Sequence, residues 1–239
     1  ASNKIFLAEA ARKMDIPVPQ YRIFNNGDTL KQCIEELTFP LILKPQSSLL
    51  VHYGDIIHAG VHHIESREQL IHTLDTTAAF NHPFMTQEKI TGEGIGVFTL
   101  FHNGEPVVFF SHRRIREKPP WGGVSVLSES TEPDPQARKY ACDLLKQLKW
   151  QGIAMVEFKR DNRNGLPVLM EINARFWGSL QLAIDSGVDF PYLLYLQSQN
   201  LPMPKMDQYR HCRMRWLLGD LDNLYITLKS DRRLLPAEY

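Results

Sequence analysis

Glu157, Glu171 and Asn173 set two carboxylates and an amide into a stretch that is otherwise apolar, GIAMVEFKRDNRNGLPVLMEINARFWGS, residues 152–179. Two strand-like runs, 153–159 and 166–173, flank a turn-rich segment, 160–165. Strand side chains alternate faces with a period of two, so Glu171 and Asn173 share a side. A hairpin closing near 162–165 brings Glu157 opposite or close to Glu171. Carboxylates left uncompensated among Ile153, Met155, Val156, Val168, Leu169 and Ile172 are costly. A bound cation compensates them, and oxygen ligands of this kind suit a hard ion such as Mg²⁺. The plainer reading is a polar strand edge facing solvent, against which Met155, Met170, Ile172 and Phe176 argue.

Other residues bear on what such a metal would serve. Lys44 ends the apolar run PLILK. It reads either as a snorkelling end residue or as a point charge aimed at a phosphate. Lys4, near the start of a helical pattern, is uninformative alone. TGEGIG, residues 91–96, is not GxGxxG and leads into a strand, so neither dinucleotide nor P-loop logic applies. Its glycines place Glu93 between flexible neighbours, just after Gln87-Glu88-Lys89-Ile90. Extended backbone there can hydrogen-bond an adenine edge, and a nearby carboxylate can hold ribose hydroxyls. His112-Arg113-Arg114-Ile115-Arg116, followed by Glu117-Lys118-Pro-Pro-Trp-Gly-Gly, concentrates positive charge beside a flexible glycine pair. Arginine favours bidentate phosphate or carboxylate recognition, although a solvated charge run is the plainer reading. Arg175, two residues beyond Asn173 and on the same face, is either an ion-pair partner or a group that stabilises a transferring phosphoryl.

These residues need elements to hold them. A helix is expected over 2–14, a short strand over 21–24, and a helix over 29–37 capped by Asp28. PLILK is a strand, 46–55 a loop and 56–64 a further strand. Ser66 and Gln69 form a capping box for a helix ending near 73–74. Residues 84–90 are extended, and 94–101 with 105–113 form a hairpin around His102-Asn103-Gly104. A loop over 116–126 follows. Asp134-Pro135 starts a helix that runs to about Lys149. Helices around 180–185 and after Pro191 lead into a less regular, basic tail from Met203. The mixture is α+β with mainly antiparallel strands.

Composition narrows the class. The chain has 239 residues, enough to bury a substantial core, and 43% of them are hydrophobic. Lys+Arg equals Asp+Glu at 27 each, so no basic excess suggests a nucleic-acid surface. Three separated cysteines, Cys33, Cys142 and Cys212, fit reduced thiols in the cytoplasm better than a disulfide framework. There is no apolar run long enough for a membrane span and no signal-peptide pattern. The nine histidines lack zinc spacing, and neither Gly-x-Ser-x-Gly nor a Cys/His pair points to nucleophilic catalysis.

Taken in order, NKIFLAEAARKMDIPVP, FPLILKP, MTQEKITGEGIGVFTLFHNGE, HRRIREKPPWGGVS and GIAMVEFK…VLMEINARFWGS resemble the ATP-grasp superfamily over nearly the whole chain. The likeness is greatest to the carbamoyl-phosphate-synthase-like branch of carboxylate–amine ligases. That resemblance implies two α/β lobes with mainly antiparallel sheets clasping ATP: a leading helix and linker (1–20), a small lid lobe (21–86) and a large lobe (87–239). It implies that Lys4 and Lys44 contact phosphates, that Glu88 with the backbone of Lys89 and Ile90 forms the adenine hinge, and that Glu93 holds the ribose. It makes Glu157, Glu171 and Asn173 ligands of Mg²⁺, with Mn²⁺ as a substitute. Arg175 then lies near an acyl phosphate, and Arg114 or Arg116 meets γ-phosphate or substrate. Trp121, Trp177 and Ser179 are expected to border the substrate pocket, with Trp177 reading equally well as a core residue. The loop after Lys44 departs from the pattern, having only Gly54, so Ser47, Ser48 and His52 are candidates for covering the phosphates there.

The activity implied is an ATP-dependent ligase joining a small-molecule carboxylate to an amine, with a further N-terminal domain of the same protein and a possible homo-oligomer. The alternative is an ATP-binding regulatory or assembly module of the same fold without turnover.

Overall fold

The computed structural model describes residues 3–120, 123–204, 206 and 208–230. The chain is α+β, as its sequence implies. It divides into two compact units: residues up to Glu93 together with Lys159–Glu171, and Gly94–Phe158 together with residues from Ile172 onward.

In the first unit, helix α1 (Lys4–Arg12) starts where the Asn3 side chain accepts the Phe6 N–H at 2.9 Å. Leu7, Ala8 and Ala11 form its buried face. Then follow β1 (Tyr21–Phe24), α2 (Gly27–Lys31), β2 (Leu41–Pro45), β3 (Leu49–His52), β4 (Asp55–His58), β5 (His62–Ile64), α3 (Arg67–Thr76) and β6 (Phe84–Glu88). Four strands make an antiparallel sheet in the order β1-β6-β2-β5. Its core is Phe24, Leu30, Leu43, Leu70, Phe80 and Phe84, with Phe80 edge-on to Phe84 at 5.0 Å.

The expected helix over 29–37 is shorter and starts earlier. Asn26, not Asp28, caps it, because Asn26 accepts the Thr29 N–H at 3.0 Å while Thr29 Oγ1 accepts the Asn26 N–H. A single 3₁₀ turn, Ile34–Glu36, follows. The expected loop over 46–55 is largely a hairpin, β3 against β4, turning at Tyr53 and Gly54 with φ of 49° and 93°. Two successive left-handed residues are what a tight hairpin turn needs. The strand expected over 56–64 breaks after His58, since its first part pairs with β3 and its second with β2.

The second unit is built on β7 (Gly94–His102), β8 (Glu105–Lys118), β9 (Val124–Thr131), α4 (Pro135–Gln147), β10 (Gly152–Arg160) up to Phe158, the end of β11 (Pro167–Asn173) from Ile172, α5 (Leu180–Asp185), α6 (Phe190–Ser198), β12 (Arg213–Arg215) and α7 (Leu217–Lys229). Strand order in the larger sheet is β11-β10-β7-β8-β9-β12. The β7–β8 hairpin turns at Asn103-Gly104, both left-handed, as its sequence announces. Asp134 caps α4 by accepting the Ala137 N–H at 2.8 Å, with Pro135 in the first turn. Phe98, Leu100, Phe110, Trp177, Leu182 and Phe190 pack the core.

Two expectations are corrected here. The loop over 116–126 is much shorter, because β8 runs to Lys118 and β9 begins at Val124. The irregular basic tail contains β12 and α7. Its arginines hid that order: Arg213 Nε donates to Glu129 at 2.8 Å and Arg215 Nε to Asp220 at 2.6 Å, so the charges are structural. No described helix is long and apolar enough to cross a membrane.

Candidate functional site

A cavity of about 460 Å³ in the second unit gathers several of the residues singled out by sequence. Arg114, Glu157 and Arg175 line it, together with His112, Trp177 and Ser179. Glu157 comes from β10 and is half-buried. Its Oε1 accepts from the Asn173 amide on β11 at 3.4 Å, and its Oε2 lies 3.7 Å from Arg114 Nη2. Arg114 also donates to Glu117 Oε1 at 2.9 Å. Arg175 is exposed beyond the end of β11 and donates to the carbonyl of Phe176 at 3.2 Å. Cations and a carboxylate thus meet in one concave, partly apolar wall, the kind of place where a small anionic ligand is oriented.

Arg114 and Arg116 part company, although regular strand alternation would put them on one face. The register of β8 against β9 shifts between them: Arg114 pairs with Ser128 and Arg116 with Leu127. The extra residue, Ile115, is a bulge that re-aims the strand. Arg114 consequently faces the cavity, whereas Arg116 Nη2 donates to the buried Asp220 at 3.0 Å.

His112 was not singled out by its chemistry in the sequence, only by its place in the run HRRIRE. It is buried, stacked on Phe98 at 4.9 Å, and bonded through Nε2 to Ser179 Oγ at 2.9 Å. Burial, reinforced by the charge of Arg114, pushes its pKa down to about 3, so the imidazole is neutral at physiological pH. Trp177 is mainly a core residue, 4.3 Å from Phe98 and 5.0 Å from Phe190, with one side on the cavity. Trp216, just before α7, also lines the cavity and was hidden in the supposed tail. Trp121 lies outside the described residues.

The first unit holds the remaining residues. Lys4 Nζ donates to Ser48 Oγ at 2.8 Å, and the Lys4 N–H donates to the Gln46 carbonyl at 2.8 Å. The segment after Lys44 is therefore tied to the start of α1. Burial lowers the Lys4 pKa, opposed by the negative charge of Glu171. Lys44 is half-buried on β2, opposite Met85. Glu88 ends β6. Its Oε1 accepts the Gln20 N–H at 3.0 Å, and its Oε2 accepts from Arg163 at 2.9 Å. Burial would raise its pKa, but these bonds outweigh burial and hold it below the usual carboxylate range. The Glu88 side chain is thus occupied with structure. Lys89 pairs with Glu65 at 2.8 Å, and the Ile90 carbonyl accepts from Lys159 Nζ at 3.3 Å. Glu93 is exposed, and its carbonyl accepts the Arg160 N–H at 2.9 Å. Close beside it, the Thr91 carbonyl accepts the Asn162 N–H at 3.0 Å. Gly92 sits between them with φ of +146°, where a Cβ would fall 1.7 Å from the Arg160 carbonyl oxygen. The glycine in TGEGIG is required by this backbone approach.

For a metal, Glu157 and Asn173 offer hard oxygen donors side by side. Turning the Asn173 amide presents its Oδ1 on the same side. Glu171, two positions earlier on β11, is likewise half-buried. The donor set fits Mg²⁺ chemically. Among the described residues no group of three or more His, Cys, Asp or Glu side chains gathers as a metal site, so an amide ligand would have to complete this one.

A family model described as "ATP-grasp in the biosynthetic pathway with Ter operon" matches residues 80–218. No curated protein matches the sequence. Among solved structures, N5-carboxyaminoimidazole ribonucleotide synthetase from Thermus thermophilus is similar over 90% of this chain and 57% of its own, with TM-score 0.66 and 14% identity. Carboxyaminoimidazole ribonucleotide synthase from Aspergillus clavatus, complexed with ATP, is similar over 90% and 56%, with TM-score 0.65 and 19% identity. D-alanine–D-alanine ligase from Bacillus anthracis, also complexed with ATP, is similar over 83% and 66%, with TM-score 0.60 and 20% identity. At such identities the likeness is one of fold. The chain spans a little over half the length of the first of these proteins.

Proposed function

Since the chain belongs to the ATP-grasp family described as acting in the biosynthetic pathway with Ter operon, we propose that it is an ATP- and Mg²⁺-dependent ligase. It would activate a substrate carboxylate as an acyl phosphate for attack by an amine or similar nucleophile. The observation that carries this reading is the cavity where Arg114, Arg175 and Glu157 converge. Phosphoryl transfer depends on positioning and charge neutralisation, so those residue types suffice without a protein nucleophile.

In this reading a carboxylate oxygen of the substrate attacks the γ-phosphorus, the bond to the bridging oxygen breaks, and ADP leaves. The amine then attacks the acyl carbon, and inorganic phosphate departs with the carbon–oxygen bonding pair. Lys4 and Lys44 would neutralise phosphate charge. Glu93 would hold ribose hydroxyls, and the backbone of Lys89 and Ile90 would meet the adenine edge. Because the Glu88 carboxylate is held by Arg163 and Gln20, its contribution to a nucleotide would come through backbone. Glu157, Glu171 and Asn173 would hold Mg²⁺, which when bound supplies charge neutralisation on the phosphates. Arg175 would orient the transferred phosphoryl group, and Arg114 the substrate carboxylate. Arg116, engaged with Asp220, would support the strand that carries Arg114.

The test is ADP release with Mg-ATP across a panel of amino acids and other small carboxylates, guided by thermal shift. Turnover with at least one acid, abolished in Glu157→Gln and Asn173→Ala, supports the assignment. Normal turnover in both variants would sink it. Nucleotide binding without ADP release across the panel would mark instead an ATP-binding module.

A further inference from the structure

Helix α7 is packed with its polar side inward. Gly219, Asp220 and Asn223 are its buried residues, the last two only 3% exposed. Asp220 accepts from Arg215 Nε at 2.6 Å and from Arg116 Nη2 at 3.0 Å, and Asn223 donates to the Glu117 carbonyl. Outward point Leu217, Leu218, Leu221, Leu224, Tyr225 and Leu228, from 51% to 77% exposed. An ordinary surface helix does the reverse. At roughly 100 Å² apiece, these side chains make a patch of about 600 Å². That is the upper end of what monomers carry, and near the ~800 Å² each partner gives to a standard interface.

We propose that α7 is a self-association helix that pairs antiparallel with α7 of a second copy of this chain. Its outward residues follow a heptad. Leu218 and Tyr225 take the a position, Leu221 and Leu228 d, Leu217 and Leu224 g, and Asp222 and Lys229 e. The b, c and f positions hold the residues packed on the unit's own sheet. A two-fold antiparallel pair sets Leu218 against Leu228 and Leu221 against Tyr225 of the other copy. Along the e edge, Asp222 of each copy then meets Lys229 of the other. A parallel pair would instead set both charges against the leucines at g, so charge complementarity selects the antiparallel arrangement. Asp222 already pairs with Lys118, which leaves a mixed-charge edge for Lys229 to join. Beside the helix lies a groove of about 510 Å³ whose apolar wall, Ile115, Leu127, Leu221 and Leu224, receives leucines from the other copy, while polar residues including Arg116 and Asp220 complete its lining.

Sedimentation equilibrium of the full chain from about 1 to 100 µM tests this. A monomer–dimer equilibrium is expected. Leu221→Glu and Leu228→Glu should each give a monomer with unchanged circular dichroism, since both residues are exposed in the single copy. Lys229→Asp should weaken the dimer roughly 10-fold at low salt, and Asp222→Lys with Lys229→Asp should restore it. A chain that stays monomeric throughout, whether or not the face binds another partner, overturns the proposal. So does a dimer indifferent to both glutamate variants. A charge swap that fails to restore affinity overturns the antiparallel pairing.

Discussion

His112 and Ser179, 67 residues apart in sequence, are joined by a 2.9 Å hydrogen bond between Nε2 and Oγ at the edge of the cavity. The bond fixes the ring where burial keeps it neutral, and the sign of its pH effect follows. The folded pKa of about 3 lies below the usual 6.5. Below the higher value the unfolded chain binds a proton that the folded chain refuses. The stabilisation from this site is complete above pH 6.5 and falls as pH drops toward 3. Between pH 7.5 and 5 the loss should be about 2 kcal/mol, read from urea unfolding, and His112→Gln should flatten that slope. An equal slope in the variant would refute the assignment.

With Lys4 in its proposed role at the nucleotide phosphates, its burial beside Ser48 predicts an alkaline limit on nucleotide binding. Burial lowers the Lys4 pKa, so its charge is lost at a lower pH than that of an ordinary lysine. Nucleotide affinity should begin to fall correspondingly early as pH rises. Lys4→Arg should move the fall to higher pH, and Ser48→Ala should weaken binding about 3-fold. Isothermal titration with ADP across pH measures both. Unchanged profiles in Lys4→Arg would remove Lys4 from the phosphate site.

Arg175 is exposed and contributes little to packing. Arg175→Ala should lower kcat about 100-fold or more while leaving the melting temperature within about 2 °C. Arg116→Ala should show the opposite bias, because removing it leaves the buried Asp220 with one cation fewer. A loss of about 2–3 kcal/mol is expected, with kcat changed less than by Arg175→Ala. Parallel kinetics and thermal unfolding separate the two roles.

Gly92→Ala should destabilise the chain by about 3 kcal/mol or more, since the new Cβ would overlap the Arg160 carbonyl and φ is unfavourable for any other residue. Gly54→Ala is the contrast. It also has a positive φ, but nothing lies within 4 Å of its Cβ position, so only about 1 kcal/mol is at stake. Equal effects would mean that backbone strain, not the close approach, governs Gly92.

The sequence by itself determined the α+β class, the Asn103-Gly104 hairpin, the capped helix after Asp134 and the strands that carry Glu157, Glu171 and Asn173. Each rests on a local signal: alternation, a turn dipeptide, or a cap beside an apolar run. The lead of TGEGIG into a strand was also legible, and β7 begins at Gly94. What only the tertiary structure decided depends on partners distant in the chain. The bulge at Ile115 separates Arg114 from Arg116, and nothing in HRRIRE announces it, since the bulge is a register relation with β9. The Glu88 carboxylate is taken up by Arg163, 75 residues away. The basic tail hid β12 and α7 because its arginines are matched by Glu129 and Asp220, acids placed beside them only by folding. Hydrophobic periodicity reports which residues avoid water. It cannot report a buried ion pair, whose cost is cancelled by a partner that the chain brings from elsewhere.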